Sequence, residues 1–219
     1  MKVSVFSGCF SQPLVIGVPN ENPKLANLLS ILNSEKITGL GLGDDESMTQ
    51  LPDALGLLDH LTSLEITRCH ALVSFPESLA RCACLKRLSI HDCADFSDLA
   101  AVSHLSSLEF LSVSGCDGIR SVSESVLSLK KLRALDLSYC ESLGWIDLDK
   151  LPEGLRILDL HGSESADFED SCADAMRLVS LKIQSYSDGA DWDHMPALEN
   201  ISRKLRRSVM PRRSSGLDE

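Results

Sequence analysis

Residues 132–140 read Leu-Arg-Ala-Leu-Asp-Leu-Ser-Tyr-Cys, the pattern LxxLxLxxC, and this nine-residue stretch decides the fold. Related stretches recur at steps of 24, 24, 23, 24, 23 and 23 residues, beginning at Ile37, Leu61, Leu85, Leu108, Leu132, Leu155 and Leu178. A fixed period of this length predicts a solenoid, in which each coil exposes apolar surface that only a neighbouring coil can cover. We number the coils 1 to 7 from these starting residues.

Alternation within the repeated stretch predicts a strand with one buried face. Leu135 and Leu137 point to one side of the strand, whereas Ala134, Asp136 and Ser138 point to the other. The 14 or 15 residues between one stretch and the next are enough for the crossover that a parallel strand requires. The sequence therefore predicts an α/β fold, a curved right-handed solenoid with a parallel sheet on its concave face. Short helical or 3₁₀ turns are expected on the convex face, some of them starting at the prolines of LPDAL and FPESL.

Composition and charge limit the possible functions. The chain has 219 residues, of which 43% are hydrophobic and only 5% aromatic, so Leu, Ile and Val must build its core. Its net charge is −11, and residues 201–219 hold six basic and two acidic residues, so residues 1–200 carry −15. We expect this acidic body to repel nucleic acid and anionic membranes.

The repeats divide the chain into segments. Residues 1–36 do not match the repeat and are predicted to form an N-terminal cap, with a short strand in KVSVF and an amphipathic helix after Pro23. Residues 37–190 hold about seven repeats, residues 191–210 are predicted to form a basic C-terminal cap helix, and residues 211–219 a disordered tail. We find neither a signal peptide nor an apolar stretch long enough to span a membrane, so we expect a location in the cytoplasm or export without a classical signal.

The seven repeats resemble those of the leucine-rich-repeat family over roughly residues 30 to 190. Four cysteines, 24, 23 and 24 residues apart, end consecutive stretches and form the expected cysteine ladder: Cys69, Cys93, Cys116 and Cys140. The resemblance implies that this residue turns inward, packs at the turn and hydrogen-bonds the backbone of the adjoining coil. Asp45, Ser163 and Tyr186 interrupt the ladder, and we interpret them as the ends of the regular solenoid.

Other arrangements of reactive residues are better explained by structure. Parallel side chains at equivalent positions are poorly placed for disulfides, and we expect all eight cysteines to be reduced thiols. Cys82 and Cys84 lie near Cys69, His70, His91 and Cys93 in the sequence, but the repeat sends these side chains to different faces, so we expect no metal site. Cys172-Ala173-Asp174 is similar to the Cys-x-Asp motif of bacterial ubiquitin ligases, yet we can place no base beside it. We expect no catalytic residue, no cofactor and no enzymatic activity.

The concave wall is the candidate binding surface. Its outward-pointing side chains include apolar groups within a polar rim, as in protein interfaces. The predicted partner-binding residues are Glu65, Arg87, His91, Phe110, Asp136, Ile157, Asp159, His161 and Lys182. We therefore expect a monomer that binds a protein partner through this wall.

Two groups of proteins have similar repeats. LEITRCHALVSFPESL and LRALDLSYCESLGWIDLDKLP resemble repeats of intracellular plant disease-resistance receptors, and LPEGLRILDL is similar to repeats of bacterial type III secreted effectors. The leading hypothesis is an effector that binds a host protein and acts in virulence. The alternatives are a substrate-recognition adaptor or fragment of a ubiquitin ligase, and a protein similar to plant immune receptors.

Overall fold

The described residues form a sheet of nine strands in the order β2-β1-β3-β4-β5-β6-β7-β8-β9. The computed structural model describes residues 2–6, 14–17, 22–144, 146, 150–163 and 180–182. The strands are β1 Lys2–Phe6, β2 Leu14–Gly17, β3 Gly39–Gly43, β4 Ser63–Thr67, β5 Arg87–His91, β6 Phe110–Ser114, β7 Ala134–Asp136, β8 Ile157–Asp159 and β9 Ser180–Lys182. The repeats supply β3 to β9, and these seven strands are parallel, as predicted.

Equivalent residues of successive coils pair across the parallel strands. Leu88 of β5, for example, is in register with Leu64 on one side and Leu111 on the other. The leucines and isoleucines that alternate along the strands are buried, so each coil adds one apolar layer to a continuous core. The repeat period therefore determines the strand register, because residues one period apart pair with each other.

Short helices return the chain along the convex side. Three 3₁₀ helices span Asp53–Leu57, Glu77–Arg81 and Ala100–His104, and one turn of α-helix, α2, spans Glu124–Leu127. Pro52 and Pro76 stand directly before the first two of these helices with φ near −70°, which confirms the predicted proline starts. These four crossovers thus contain only short helices.

The N-terminal segment extends the sheet in the opposite direction. Strand β1 pairs antiparallel with β3 of coil 1, and β2 pairs antiparallel with β1. Helix α1, which spans Asn22–Ser34, buries Leu25, Leu29 and Leu32 against the core. The predicted strand and helix are both present, while β2 was not predicted. The predicted C-terminal cap helix and tail lie outside the described residues.

Candidate functional site

The predicted wall residues lie on one face of the sheet. In β4 to β8 they alternate with buried residues such as Leu64, Ile66 and Leu135, so their side chains face away from the core. In this way the structure brings together Glu65, Arg87, His91, Phe110, Asp136, Ile157, Asp159 and His161. Lys182 lies in β9, in register with Asp159. Their role in binding stays a prediction.

A hydrogen-bond network joins coils 4 and 5 on this wall. The hydroxyl of Ser112 donates to Asp136 Oδ2 at 2.9 Å. Asp136 Oδ1 accepts two further hydrogen bonds, from the backbone N–H of Ser138 at 3.0 Å and from its hydroxyl at 2.6 Å. The Oγ atoms of Ser114 and Ser138 lie 2.9 Å apart, which adds a second link between the coils. These contacts hold the Asp136 carboxylate in one orientation.

Tyr139 is a wall residue that the alternation of the sequence does not indicate. Its backbone is left-handed, with φ of 55°, and its side chain is 46% exposed. The ring packs edge-on against the imidazole of His161, with 5.1 Å between the ring centroids. A Cβ on Gly162 would lie only 2.5 Å from Tyr139 Cδ1, so the glycine of coil 6 leaves the space that the ring fills.

Tyr139 is distinguished by its position in the repeat, directly before the ladder residue, rather than by its residue type. The residue before the ladder position has a positive φ in each of the first six coils. This left-handed row consists of Asp44, Arg68, Asp92, Gly115, Tyr139 and Gly162. Because a left-handed backbone directs its side chain differently from a strand residue, the alternation of the strand does not extend to this row.

Charged side chains occupy the first half of the left-handed row. Arg68 Nε donates to Asp44 Oδ1 at 2.6 Å, and Lys2 Nζ lies 2.7 Å from Asp44 Oδ2. These hydrogen bonds, from Lys2 first and then Arg68, lower the pKa of the Asp44 carboxyl. The two ion pairs connect β1, coil 1 and coil 2 along the edge of the sheet.

The first half of the wall is less constrained than the second. Within the described residues, the side chains of Glu65, Arg87 and His91 form no hydrogen bond or ion pair. In β3 the outward positions are glycines, and a Cβ on Gly43 would meet Thr67 Oγ1 at 2.5 Å. This end of the wall therefore presents charged side chains without side-chain partners in β4 and β5, whereas the β3 backbone is buried.

The ladder cysteines are structural. All four are buried free thiols, and Cys140 Sγ donates to the carbonyl oxygen of Val113 in the adjoining coil at 2.9 Å. Burial raises the pKa of the Cys116 thiol to about 12 and that of Cys140 to about 11. The neighbouring Cys93 thiol and burial raise the pKa of Cys69. Because their pKa is raised, the thiols of Cys69, Cys116 and Cys140 are poor nucleophiles at neutral pH.

The ladder continues beyond its cysteines. Asp45 and Ser163 are both buried at the ladder position. The hydroxyl of Ser163 donates to the carbonyl of Leu137 at 2.7 Å and accepts from the N–H of Cys140 at 3.0 Å. Ser163 therefore makes the contacts with the adjoining coil that were expected of a ladder cysteine, and the regular solenoid does not end at this residue. Tyr186 lies outside the described residues.

Other reactive groups are separate from the wall. Cys82 is buried with its pKa raised to about 11 by burial, whereas Cys84 is exposed. No three His, Cys, Asp or Glu side chains in the described ranges are placed to hold a metal ion. No helix of the described residues is long and apolar enough to cross a membrane. Cys9 and the Cys172-Ala173-Asp174 motif lie outside the described residues.

Comparison with known proteins finds relatives of the repeats. Disease resistance protein RPS4B of Arabidopsis thaliana is 26% identical over 140 residues, which are 56% of this chain and 12% of that protein. Disease resistance-like protein DSC1 of the same plant is 35% identical over 128 residues, 57% of this chain and 10% of that protein. The chain thus spans only about a tenth of the length of these relatives. No family model matches the chain.

A solved structure has the same fold. The leucine-rich-repeat domain of the type III effector XopL matches with a TM-score of 0.50 and 24% identity, covering 62% of this chain and 57% of the solved chain. That likeness concerns the fold alone. Taken with the parallel register and the buried ladder, it shows that the chain has the leucine-rich-repeat fold, with a parallel sheet on the concave face of a solenoid.

Proposed function

We propose that this protein recognises a protein partner through the concave wall of its solenoid. The observation that carries the proposal is the exposure of large apolar groups on a wall that otherwise presents charged and hydroxyl groups. Ile157 is 43% exposed, and Phe110 lies half-buried two strands away on the same face. Apolar side chains inside a polar rim are the usual composition of a protein interface.

We propose further that recognition takes place without catalysis. A serine nucleophile needs a neighbouring base that holds its proton and is itself oriented by a third group. On this wall the hydroxyl of Ser138 donates to the Asp136 carboxylate, and the ring of His161 packs against Tyr139 instead. This arrangement supports a rigid contact surface rather than a catalytic triad.

Two biological contexts are consistent with a binding wall. An effector acting on a host protein is the leading hypothesis, and the fold that this chain shares with the XopL domain supports it. A role similar to that of plant immune receptors is supported by the relatives of 26% and 35% identity. A ligase adaptor is the remaining alternative, and it requires that ligase components accompany the captured partner.

The test is affinity capture from plant lysate with matched variants. The wall variant carries Arg87→Ala, Phe110→Ala and Ile157→Ala, because these side chains face outward and their removal leaves the Asp136 network intact. The control carries Leu57→Ala and Val73→Ala, which remove outward apolar groups of similar exposure, 44% and 45%, on the convex side. Circular dichroism must show that all three proteins fold alike.

We expect a partner that the wild type and the convex control retain and the wall variant loses. The mass spectrum of that partner then identifies the pathway, and co-purified ligase components would indicate the adaptor role. Equal capture by the wall variant would show that binding lies elsewhere on the molecule.

A further inference from the structure

We propose that the second half of the wall contains a slot for an arginine side chain of the partner. This inference rests on the proposed function and names the chemistry that the partner must present. The slot is defined by Phe110, Ala134, Ile157 and Asp136.

The walls and floor of the slot follow from the strand register. Phe110 of β6, Ala134 of β7 and Ile157 of β8 are paired in one row across the sheet, and all three face outward. A methyl group thus lies between two large apolar side chains. Because neighbouring strands are about 4.8 Å apart, Phe110 and Ile157 are about 10 Å apart at the backbone, which is room for one extended side chain above Ala134.

The far end of the slot is acidic. Asp136 lies two residues beyond Ala134 on the same face of β7, at a distance of about 7 Å along the strand. The Asp159 carboxylate stands beside it in the next strand. A side chain that lay over the Ala134 methyl would therefore need three or so methylene groups followed by a cation, which describes arginine and lysine.

Asp136 Oδ1 already accepts two hydrogen bonds from Ser138, and Oδ2 accepts one from Ser112, so Oδ2 has one acceptor site left for a cationic donor. Two features favour arginine over lysine as that donor. The exposed ring of Tyr139 follows at the same end of the strand, and guanidinium groups stack on aromatic rings. Arginine is also more weakly hydrated than lysine, so it loses less on entering a partly apolar slot.

The other charges of the protein also favour a cationic side chain in the slot. Arg87 belongs to β5 and Lys182 to β9, so each residue lies two strands away from β7, the strand that carries Ala134 and Asp136. The net charge of −11 attracts a cationic segment at long range. A basic loop or strand of the partner is thus the occupant that fits the wall.

The test uses short peptides of defined composition and nuclear magnetic resonance. The probes are acetyl-Gly-X-Gly-amide, with X as arginine, lysine or citrulline, which has nearly the shape of arginine without its charge. The protein is the full chain labelled at its Ala and Ile methyl groups. Because one side chain supplies only a few kcal/mol, we expect a dissociation constant of about 1–10 mM.

We expect the arginine peptide to shift the methyl signals of Ala134 and Ile157 in a saturable manner. The citrulline peptide should bind at least about fivefold more weakly, and lysine should fall between them. Ala134→Leu should abolish the shift of the Ile157 methyl signal by filling the slot. Ser63→Leu, at the equivalent position of β4, should leave the shifts unchanged. Asp136→Asn should remove the preference for arginine over citrulline.

Two results would overturn the slot: no saturable shift up to about 20 mM peptide, or equal shifts from arginine and citrulline. Either result would leave the concave-wall function standing if the partner were still lost from the Arg87, Phe110 and Ile157 variant. Loss of the slot and loss of the wall are thereby distinguished.

Discussion

The strands of coils 2 to 4 are five residues long, whereas those of coils 5 and 6 have only three. The cores beneath them are alike, since Leu135 and Leu158 are as deeply buried as Leu64 and Leu88. The difference lies at the middle outward position, which is Asp136 in β7 and Asp159 in β8. Each carboxylate accepts the backbone N–H two residues further on, from Ser138 and His161 respectively. A side chain on the open face therefore ends the strand, because it offers the backbone a competing hydrogen bond.

Placing a charge on the shared core should have the largest effect. Leu135→Asp buries an unpaired carboxylate between coils 4 and 6, and we expect it to lower the free energy of unfolding by at least about 4 kcal/mol and to melt several coils together. Urea unfolding followed by circular dichroism measures the loss. Ala134→Asp, one residue away on the open face, is the control and should cost far less. A local defect with unchanged melting would contradict the shared core.

The core of both regions was predictable from the sequence, but the difference between them was not. Leucine spacing predicts which residues are buried and which pair, because a period near 23 residues permits only one stacking register. It carries no information on whether Asp136 turns back onto the Ser138 N–H, since that depends on one side-chain rotamer. The left-handed backbone at Tyr139 was also missed, because bulky residues rarely adopt it. The antiparallel direction of β1 depends on pairing between segments far apart in the chain.

The left-handed row offers a second way to compare the halves. Gly162→Ala places a methyl group 2.5 Å from the Tyr139 ring at a φ of 72° and should cost about 2 kcal/mol. Gly115→Ala has a similar φ of 65°, but its nearest neighbour is Asp92 Oδ1, the mobile end of a side chain, so about 1 kcal/mol is expected. Thermal and urea unfolding of both variants, with Gly162→Ala also in a Tyr139→Ala background, would measure the coupling between Gly162 and the Tyr139 ring. Equal losses in the free energy of unfolding for the two variants would refute the role of the ring.

Raising the pH should lower the free energy of unfolding, because the ladder thiols of both halves begin to ionise. The pKa of Cys116, below β6, is raised to about 12 and that of Cys140, below β7, to about 11, from an ordinary value of 9.0. A raised pKa means that stability is complete below pH 9 and is lost as the pH rises towards the folded-state value. At pH 10 the contribution of each thiol to the free energy of unfolding should have fallen by on the order of 1 kcal/mol.

Urea midpoints between pH 7.5 and 10.5 test this linkage. Cys116→Ala and Cys140→Ala should each flatten the decline by a similar amount, because the ladder is continuous across the two halves. A pH profile that neither substitution alters would remove the thiols as its cause.

The smallest effect is expected at the exposed edge of coil 1. Asp44→Asn breaks the ion pairs with Lys2 and Arg68, and surface pairs contribute little. Because the pKa of Asp44 is lowered, its contribution is present at neutral pH and is lost on acidification through the folded-state pKa. Unfolding should show a slight loss of stability in Asp44→Asn at low salt, and this loss should disappear at high salt because salt screens the ion pairs of the wild type. A large loss that persists in high salt would mean that the edge of coil 1 stabilises the sheet more than surface ion pairs do.

The left-handed row also determines how this protein can diversify. The ring of Tyr139 occupies the space beside Gly162, and the Asp92 side chain occupies the space beside Gly115. In both cases a side chain of one coil fits because the next coil has a glycine, without a side chain, at the equivalent position. Recombination that duplicated coil 5 alone would set one tyrosine against another, whereas coils 5 and 6 exchanged together would keep their fit. For coils 5 and 6, the fit between the ring and the glycine is therefore a property of the pair of coils rather than of either repeat alone.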